Sequence, residues 1–286
     1  MGADDRLGTL EAFRGRQSKL SRVGLEVRLL DTVSELREVE SLQQLVWGMP
    51  DREVVPSHQL LAAVRNGGLV LGAFQQGRLV GFSYAFVGWR EGERVLHSHM
   101  TAVLPDLQDH DVGYRLKCAQ REWALAQGYG RIVWTFDPLQ SRNAYFNLHK
   151  LGARAERYLV DYYGRMEDAL NRGLPTDRLE VDWWLVSEPV RARLEGRWVP
   201  PALEGTRPVL EAQGDGPGPV REPAGELVRL EVPASLAELR QRDPQLPLAW
   251  RLATREAFLR CLAAHYAAVD FARHAGRSFY VLERTR

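Results

Sequence analysis

Lysine and net charge are both scarce in this chain of 286 residues. Lys19, Lys117 and Lys150 are its only lysines, so arginine supplies nearly all of the positive charge, and 38 basic residues face 37 acidic ones. The resulting net charge of +1 creates no basic field that would attract nucleic acid or an anionic membrane surface. Arginine can serve bidentate recognition of phosphate or carboxylate, but these arginines are scattered, and codon bias in a GC-rich genome explains them more simply.

Cysteine and long apolar runs are also scarce. Cys118 and Cys261 cannot form a disulfide framework, and neither lies in a CxxC pair or beside an HxxxH spacing, so we expect two small buried side chains rather than a zinc site. The first 20 residues contain no continuous apolar core, and no later run reaches the roughly 18 apolar residues of a membrane span. A hydrophobic share of 45% still suffices for a folded core. We therefore expect a soluble cytoplasmic protein without a membrane partner.

The composition shifts along the chain and predicts four segments. Residues 1–24 are polar and predicted to be a flexible lead-in, and residues 25–200 form the main domain. Residues 205–225 contain five glycines and four prolines, which predicts a linker. Residues 226–286 are too few for an independent core, so we expect this C-terminal extension to pack on the main domain or on a second subunit.

Hydrophobic periodicity predicts an α/β (α+β) order of elements in the main domain. Residues 25–186 are interpreted as a strand, two helices, three strands, a helix, a strand, a helix and two strands. Residues 69–74 and 79–89 are predicted to form a hairpin. Ser57 and Ser141 are the predicted N-caps of two helices, because serine side chains accept hydrogen bonds from free amides at a helix start.

The C-terminal extension has a periodic pattern of its own. We expect a strand over residues 227–232 and a final strand over 278–282. Between them, one long helix is predicted from an apolar stripe, whose members are Trp250, Ala253, Ala257, Cys261, Ala264 and Ala268.

The most informative stretch, residues 97–125, runs from a strand through a short loop into a helix. A helix N-terminus presents unpaired amides at the positive end of the helix dipole, which suits a phosphate or pyrophosphate. The spacing Gln108-x-x-Asp111-x-Gly113 resembles the acyl-CoA pyrophosphate loop of the GNAT N-acetyltransferase superfamily, which usually reads Gln/Arg-x-x-Gly-x-Gly/Ala. This loop therefore suggests that the chain binds an acyl-CoA.

A second stretch strengthens the resemblance. RIVWTF (131–136) followed by SRNAYFNLHKLGA (141–153) resembles the next strand and helix of the family, which tend to end in an Asn…Tyr-x-Lys-x-Gly pattern. The texture is also similar to a bacterial GNAT subgroup that contains WTFDPLQSRNAYFNLHKLG and LPTDRLEVDWW nearly as written here. Some relatives of that subgroup acylate amino acids, including succinyl transfer to D-amino acids.

The resemblance implies a fold and an activity. The fold is the GNAT fold, a mixed central sheet with splayed middle strands flanked by helices, to which the extension adds a small α+β part. The activity is transfer of an acetyl or succinyl group from an acyl-CoA to a primary amine of a small molecule such as an amino acid, by direct attack in a ternary complex. Acetyl-CoA or another acyl-CoA is the expected co-substrate, without a metal, and we leave a homodimer open.

The resemblance also assigns cofactor-binding positions. The end of the splayed strand would hold the pantetheine arm through its backbone, the loop and the helix start would hold the pyrophosphate, and a later helix would contact the arm. These positions are Val103, Leu104, Gln108, Asp111, Val112, Gly113, Tyr114 and Asn143. Asp111 stands where relatives have glycine. A carboxylate there could cap the helix itself and would repel a pyrophosphate, which predicts a shifted loop or weaker binding.

The catalytic positions carry over with one departure. The strand carboxylate that many relatives use as general base falls on His97, and His99 lies on the same strand face. A histidine can take a proton from an ammonium, directly or through water. The tyrosine that often protonates the departing thiolate falls on Leu148, and Tyr145 could replace it only if the helix is rotated. Solvent is the alternative acid, and hydrogen-bonded histidines and a packed tyrosine are the alternative roles.

Acceptor-binding positions are implied by the loop after the first helix and by the central strands, which build this pocket in the family. They are Trp47 and Tyr84, beside Phe86, with core packing as the alternative role. Arg142 could hold an anionic acyl group or an acceptor carboxylate, or it could be an exposed arginine at a helix start.

Two competing hypotheses accompany this interpretation. Asp111 and Leu148 would also suit a GNAT-like protein that binds CoA or another ligand and has lost turnover. His97 and His99 could ligate a metal with His110 or Asp109, although the sequence shows no third ligand at a defined spacing.

Overall fold

The structure is a computed structural model that describes residues 24–164, 166 and 173–285. The predicted lead-in over residues 1–24 therefore lies outside the described residues, apart from Gly24. Two compact units divide the chain, Met1–Val133 and Trp134–Arg286. Among the described residues, no helix combines the length and the apolar character needed to cross a membrane.

The described part of the first unit alternates helices and strands, with short 3₁₀ turns at Asp51–Glu53 and Pro105–Leu107. Its elements in chain order are β1 (Leu25–Leu29), α1 (Val33–Trp47), α2 (Ser57–Arg65), β2 (Leu69–Gln75), β3 (Arg78–Arg90), β4 (Glu93–Val103), α3 (Val112–Ala126) and the beginning of β5 (Arg131–Phe136).

Local sequence signals account for several element ends. Thr32 and Glu35 form a capping box at the start of α1, and Gly48 ends this helix in the left-handed conformation. Gln76 and Gly77 both have positive φ angles in the two-residue turn between β2 and β3, as a type I′ hairpin requires. The predicted hairpin is confirmed.

The first of two N-cap predictions is wrong. The N-cap of α2 is Pro56 rather than Ser57, and it makes no side-chain capping bond. The Ser57 amide donates instead to the carboxylate of Glu40, which lies on α1. A carboxylate from a neighbouring helix thus takes the place that a local serine side chain was expected to fill.

The strands of the first unit form a mixed sheet. The pairs β1–β2, β2–β3 and β3–β4 are antiparallel, and β4 runs parallel to β5. The β4–β5 pairing joins Leu96 to Ile132 and His97 to Val133, whereas β4 continues to Val103. The mixed sheet agrees with the predicted fold class.

A β-bulge interrupts the pairing of β3 with β4. Tyr84 pairs with Met100, but the next residue, Ala85, pairs with Ser98, so His99 is an extra residue on β4. Side chains alternate between the two faces of a strand, and an extra residue reverses this alternation from that point onward. As a result Ser98 and Thr101, three positions apart, can face the same side.

Helix α3 packs closely on β3 because of a glycine. A Cβ at Gly81 would lie 2.8 Å from the Ala102 carbonyl oxygen, 3.3 Å from the Val112 side chain and 3.4 Å from the Leu116 side chain. Both of these apolar residues are buried, as the predicted apolar face of the helix requires. Gly81 therefore sets the distance between α3 and the sheet.

The described part of the second unit begins with the end of β5. Its further elements are α4 (Ser141–Ala144), a π-helical segment (Tyr145–Lys150), β6 (Arg154–Leu159), β7 (Arg178–Trp184), α5 (Glu188–Leu194), a 3₁₀ turn (Leu203–Gly205), β8 (Arg207–Leu210), β9 (Ala212–Gln213), β10 (Gly216–Pro217), β11 (Leu227–Val232), α6 (Leu236–Arg242), α7 (Leu246–Ala263), β12 (Tyr266–His274) and β13 (Arg277–Arg284).

The C-terminal strands join the strands that precede them in one sheet of the second unit. The order is β7-β6-β12-β13-β11-β8. Ala155 of β6 pairs with Ala268 of β12, and β8 runs parallel to β11. The stretch over 205–225, predicted as a linker, thus contains three short strands, because a Gly/Pro-rich sequence can still pair along an edge. The predicted segment boundaries stay a prediction.

Two helices of the second unit differ from the prediction. Ser141 is not an N-cap, since Gln140 holds that position and the Ser141 hydroxyl donates to the Pro233 carbonyl. The helix that follows changes to π geometry, with the Leu151 amide bonded to the Phe146 carbonyl five residues back.

The long helix of the extension also ends earlier than its apolar stripe. Ala264 is the C-cap of α7, and Ala268 lies on β12. The chain turns at His265, whose φ of 59° is left-handed, and the sequence carries no glycine there to announce the turn.

A buried acidic group ties α7 to the sheet of the second unit. Arg255 on α7 donates to both oxygens of Asp177, at 2.8 and 2.7 Å, and the Tyr158 hydroxyl donates to the same carboxylate at 2.7 Å. Burial raises the pKa of Asp177, but the hydrogen bonds from Arg255, the Asp161 amide and Tyr158 outweigh it, so the pKa lies below its ordinary value. The carboxylate is therefore ionised and depends on its donors.

Replacing Arg255 by glutamine should destabilise the protein by about 3 kcal/mol, because it leaves the buried Asp177 carboxylate without its cationic partner. Denaturant unfolding measures the loss. Arg260→Gln on the same helix is the matched control: Arg260 pairs with the exposed Glu222 and Glu256, so its loss should cost less than about 1 kcal/mol. Equal losses in the two variants would contradict a special role for the Asp177 pair.

Candidate functional site

Two histidines and two aromatic residues form a cluster on one face of the β3–β4 pair. The rings of Phe86 and His97, which are cross-strand partners, stack with centroids 4.8 Å apart. The centroid of the His99 ring lies 6.1 Å from that of His97, 5.6 Å from that of Phe86 and 5.8 Å from that of Tyr84. The expectation that the two histidines share a face is met, and the bulge leaves His99 the more exposed of the two.

Both imidazoles have lowered pKa values. Burial lowers the pKa of His97 to about 4, and the positive charges of His99, Arg90 and Lys117 act in the same direction. Burial also lowers the pKa of His99. Because the lowered pKa disfavours the protonated form, His97 is a neutral imidazole at neutral pH and has a lone pair that can accept a proton.

A chain of buried polar side chains lies on the α3 side of β4. The Lys117 ammonium nitrogen donates to the Ser98 hydroxyl at 3.0 Å and to the Gln120 carbonyl oxygen at 2.8 Å. The Gln120 amide then donates to Ser83 at 3.0 Å, and the Ser83 and Thr101 hydroxyls lie 3.1 Å apart. Lys117 is 2% exposed, and this burial lowers its pKa to about 7. The sequence alone did not predict this hydrogen-bond network.

The N-terminus of α3 carries the predicted pyrophosphate loop. Asp111 is its N-cap in the left-handed conformation, with φ of 57°, and its side chain makes no capping bond. The expectation that this carboxylate would consume the helix amides is therefore wrong. The first intrahelical bond runs from the Arg115 amide to the Asp111 carbonyl, so the amides of Val112, Gly113 and Tyr114 precede it.

The backbone at the end of β4 is hydrogen-bonded within the first unit. Its amide donates to the Val80 carbonyl and its carbonyl accepts from the Leu107 amide, both at 2.9 Å. The Val103 carbonyl accepts from the Gln108 side chain at 3.2 Å. Both backbone groups of Leu104 are thus hydrogen-bonded within the protein, and its contact with a pantetheine arm stays a prediction.

Two predicted acceptor residues pack against the same strand. Tyr84 is 2% exposed, and burial raises its pKa against the opposing effect of a hydrogen bond with Gln59. Trp47, at the end of α1, contacts Phe82 edge-on with ring centroids 6.0 Å apart. Tyr84 is therefore the buried member of the cluster. Trp47 is partly exposed, and Phe82, the residue that it contacts, lies two positions before Tyr84 on β3.

The other predicted site residues belong to the second unit. Arg142 and Asn143 are exposed on α4. Tyr145 begins the π-helical segment, where its ring stacks on His149 at 4.6 Å and lies under the Arg273 guanidinium, also at 4.6 Å. Tyr145 thus has a packing role in its own unit, and its role as an acid stays a prediction.

Across the described residues, no three His, Cys, Asp or Glu side chains are grouped to hold a metal ion. The His110 ring interacts with the Gln108 carbonyl, and Asp109 adopts a left-handed φ of 68°. Burial raises the pKa of Cys118 to about 11 and that of Cys261 to about 12, so both are protonated thiols at neutral pH.

The sequence contains one signal for this buried hydrogen-bond network, which hydrophobic periodicity does not detect. Lys117 is one of three lysines in a chain whose other basic residues are arginines, and it lies beside the apolar stripe of α3. Gln120 follows one turn later, on the same side of the helix. A polar pair at this spacing, next to buried positions, indicates an internal hydrogen-bond partner rather than a solvated face.

The stability of the protein should depend on pH through Lys117. Between about pH 7 and pH 10.5, the unfolded chain holds the Lys117 proton and the folded chain does not. The unfolding free energy should therefore rise with pH across this window relative to Lys117→Met, by up to about 1.4 kcal/mol per pH unit. Denaturant unfolding at several pH values measures this difference. Lys150→Met, at an exposed lysine, is the control, and equal slopes for both variants would contradict the prediction.

Comparison with known proteins gives one family match. Residues 34–153 match the family model described as "Acetyltransferase (GNAT) family". A search of curated proteins gives no match. The similar solved structures include Naa50 from Arabidopsis thaliana in complex with a bisubstrate analogue, with 16% identity, 56% of this chain and 98% of that chain covered, and a TM-score of 0.45.

Two further structures have comparable similarity. The ribosomal-protein-S18-alanine N-acetyltransferase from Escherichia coli has 14% identity over 55% of this chain and 92% of that chain, with a TM-score of 0.44. The IAA acetyltransferase from Bacillus cereus has 19% identity over 55% and 97%, with a TM-score of 0.43. The family match and the mixed sheet flanked by helices agree: the chain contains a GNAT-family acetyltransferase domain over residues 34–153.

Proposed function

We propose that this protein transfers an acetyl or succinyl group from an acyl-CoA to the primary amine of a small molecule such as an amino acid. The observation that carries the proposal is the combination, within one unit, of a helix N-terminus without a side-chain capping bond and a strand that presents two histidines of lowered pKa. The family match over residues 34–153 suggests the acyl-CoA, and the residues of the first unit supply the rest of the argument.

The start of α3 suits the pyrophosphate of the co-substrate. A Cβ at Gly113 would meet, among the described residues, the Val103 side chain at 3.9 Å and nothing nearer, and Gly113 does not have a positive φ. Neither the backbone nor the packing therefore requires glycine at this position. Close approach of a ligand to the amides of Val112, Gly113 and Tyr114 gives a reason for it.

The histidine cluster suits proton removal from the acceptor. The amine must lose a proton before its nitrogen can form a bond to the thioester carbon, and the departing sulfur must gain one. Neutral His97 and His99 can accept the first proton, with the more exposed His99 nearer to solvent. The remaining catalysis comes from holding the amine against the thioester. Solvent supplies the second proton in this proposal.

Asp111 favours a second candidate, a GNAT-like protein that binds CoA or another ligand without turnover. Its carboxylate lies at the start of α3, where it would repel a pyrophosphate. Leu148, at the position of the family tyrosine, is fully buried and has no proton to give. Acyl-CoA binding without release of free thiol, across amines that include D-amino acids, would support this candidate over the enzyme.

Acyl-CoA should raise the melting temperature of the protein, and Gly113→Ala should remove most of that rise. The new methyl group would occupy the approach to the helix amides, and we expect an increase in the dissociation constant of about tenfold or more. Differential scanning fluorimetry with acetyl-CoA and succinyl-CoA measures the effect.

Gly130→Ala is the matched control, since a Cβ there meets nothing within 4 Å. Both variants should retain the stability of the parent protein within about 1 kcal/mol. Stabilisation of both variants to the same degree would move the pyrophosphate away from α3, and a parent protein that no acyl-CoA stabilises would refute the proposed function.

His99→Ala and His97→Ala should each lower the rate constant kcat by about a hundredfold while KM for acyl-CoA changes little, because they remove a proton acceptor. A free-thiol assay with pooled amines measures this. Since the pKa of His97 is about 4, the kcat/KM of the parent protein should lose the contribution of His97 only as the pH falls towards 4. His274→Ala, at an exposed histidine, is the control, and full activity of both variants would show that neither histidine is the base.

A further inference from the structure

We propose that Lys117 is a positioning residue of the acyl-transfer site: its side chain bonds the bulged segment of β4 to α3 and, when protonated, places a positive charge beneath the two histidines. This inference rests on the proposed function for its kinetic consequences. The family residues named above do not include Lys117.

The first argument is the geometry around the bulge. Lys117 bonds Ser98, which immediately precedes the extra residue His99, and reaches Thr101 beyond it through Gln120 and Ser83. In a regular strand Ser98 and Thr101 would point to opposite faces, and the bulge brings both to the α3 side. The hydrogen-bond network therefore holds β4 on both sides of the bulge.

The second argument is burial. A lysine is rarely enclosed, because its ammonium group loses hydration. Lys117 is nevertheless 2% exposed, and Gln120 and Ser83 are fully buried. Leucine or methionine would fill this space at lower cost. The desolvation cost of the buried Lys117 is explained if its hydrogen bonds hold β4 in place and its charge acts on the histidines of that strand.

The third argument is charge. The charged and titratable groups that act on His97 are His99 on β4, Arg90 on β3 and Lys117 on α3, and each lowers its pKa. Lys117, with a pKa of about 7, is an ammonium ion throughout the range in which His97 titrates. Protonation of His97 would place another positive charge on β4, so Lys117 helps to keep this imidazole in its neutral form.

The test compares Lys117→Met with the control Lys150→Met in the full chain. In the free protein, the titration midpoint of His97, followed by its ring signals in NMR, should rise by about half a pH unit or more in Lys117→Met and stay in place in the control. The acidic limb of the kcat profile should move to higher pH with it, and kcat should fall about tenfold with KM for acyl-CoA nearly unchanged. An unchanged midpoint together with an unchanged kcat would overturn the proposal.

Ser98→Ala separates geometry from charge and serves if Lys117→Met does not fold. This variant keeps the ammonium but removes its bond to β4, so kcat should fall while the His97 midpoint stays low. Full activity of Ser98→Ala would overturn the positioning role. If the parent protein proves to have no acyl-transfer activity, the proposed function fails, and the NMR midpoint still decides whether Lys117 acts on His97.

Discussion

The extra residue in β4 is the constraint on which the candidate site depends. Because His99 has no partner of its own on β3, the strand before it and the strand after it present their side chains out of step. On one face, His97 and His99 lie beside Phe86, as ordinary strand alternation allows. On the other face, the inserted residue lets Ser98 and Thr101 meet the polar side chains beneath them. The insertion thus decides which side chains of β4 face α3.

Helix α3 connects this strand to the proposed co-substrate site. Gly81 allows the helix to lie close against β3, and Lys117, five positions after Val112, enters the sheet from the same helix. The amides at the helix start and the side chains beneath the histidines therefore belong to one rigid element. A change in the packing of α3 would displace the two together.

The family, the fold class and most strands could be predicted from the sequence, because hydrophobic periodicity and the loop around Asp111 and Gly113 are local signals. Most of the wrong expectations depended on features that the neighbouring residues do not indicate. Ser57 lost its capping role to Glu40, which comes from another helix, and the stripe ending at Ala268 continued across a turn that no glycine marks. Nothing in the residues next to Ser141 announces its bond to Pro233, 92 positions away.

The candidate site was predicted in the same uneven way. The shared face of His97 and His99 follows from strand alternation and was correctly expected. The bulge, the buried Lys117 and the engaged backbone of Leu104 depend on hydrogen bonds between segments distant in the chain, and a single sequence contains no direct record of these. Asp111 does not make the capping bond that was expected of it. Its backbone is left-handed, a conformation that favours glycine but tolerates aspartate.

The burial of Lys117 also makes its amine an internal reporter. In the part of the chain that the structure describes, Lys150 is the exposed lysine and Lys117 the enclosed one. An amine-reactive reagent should therefore label Lys150 at once and Lys117 only in molecules whose third helix has lifted from the sheet. The labelling rate of Lys117 therefore measures how often α3 separates from the sheet. The chain contains only two other lysines, so few other side chains compete for the reagent.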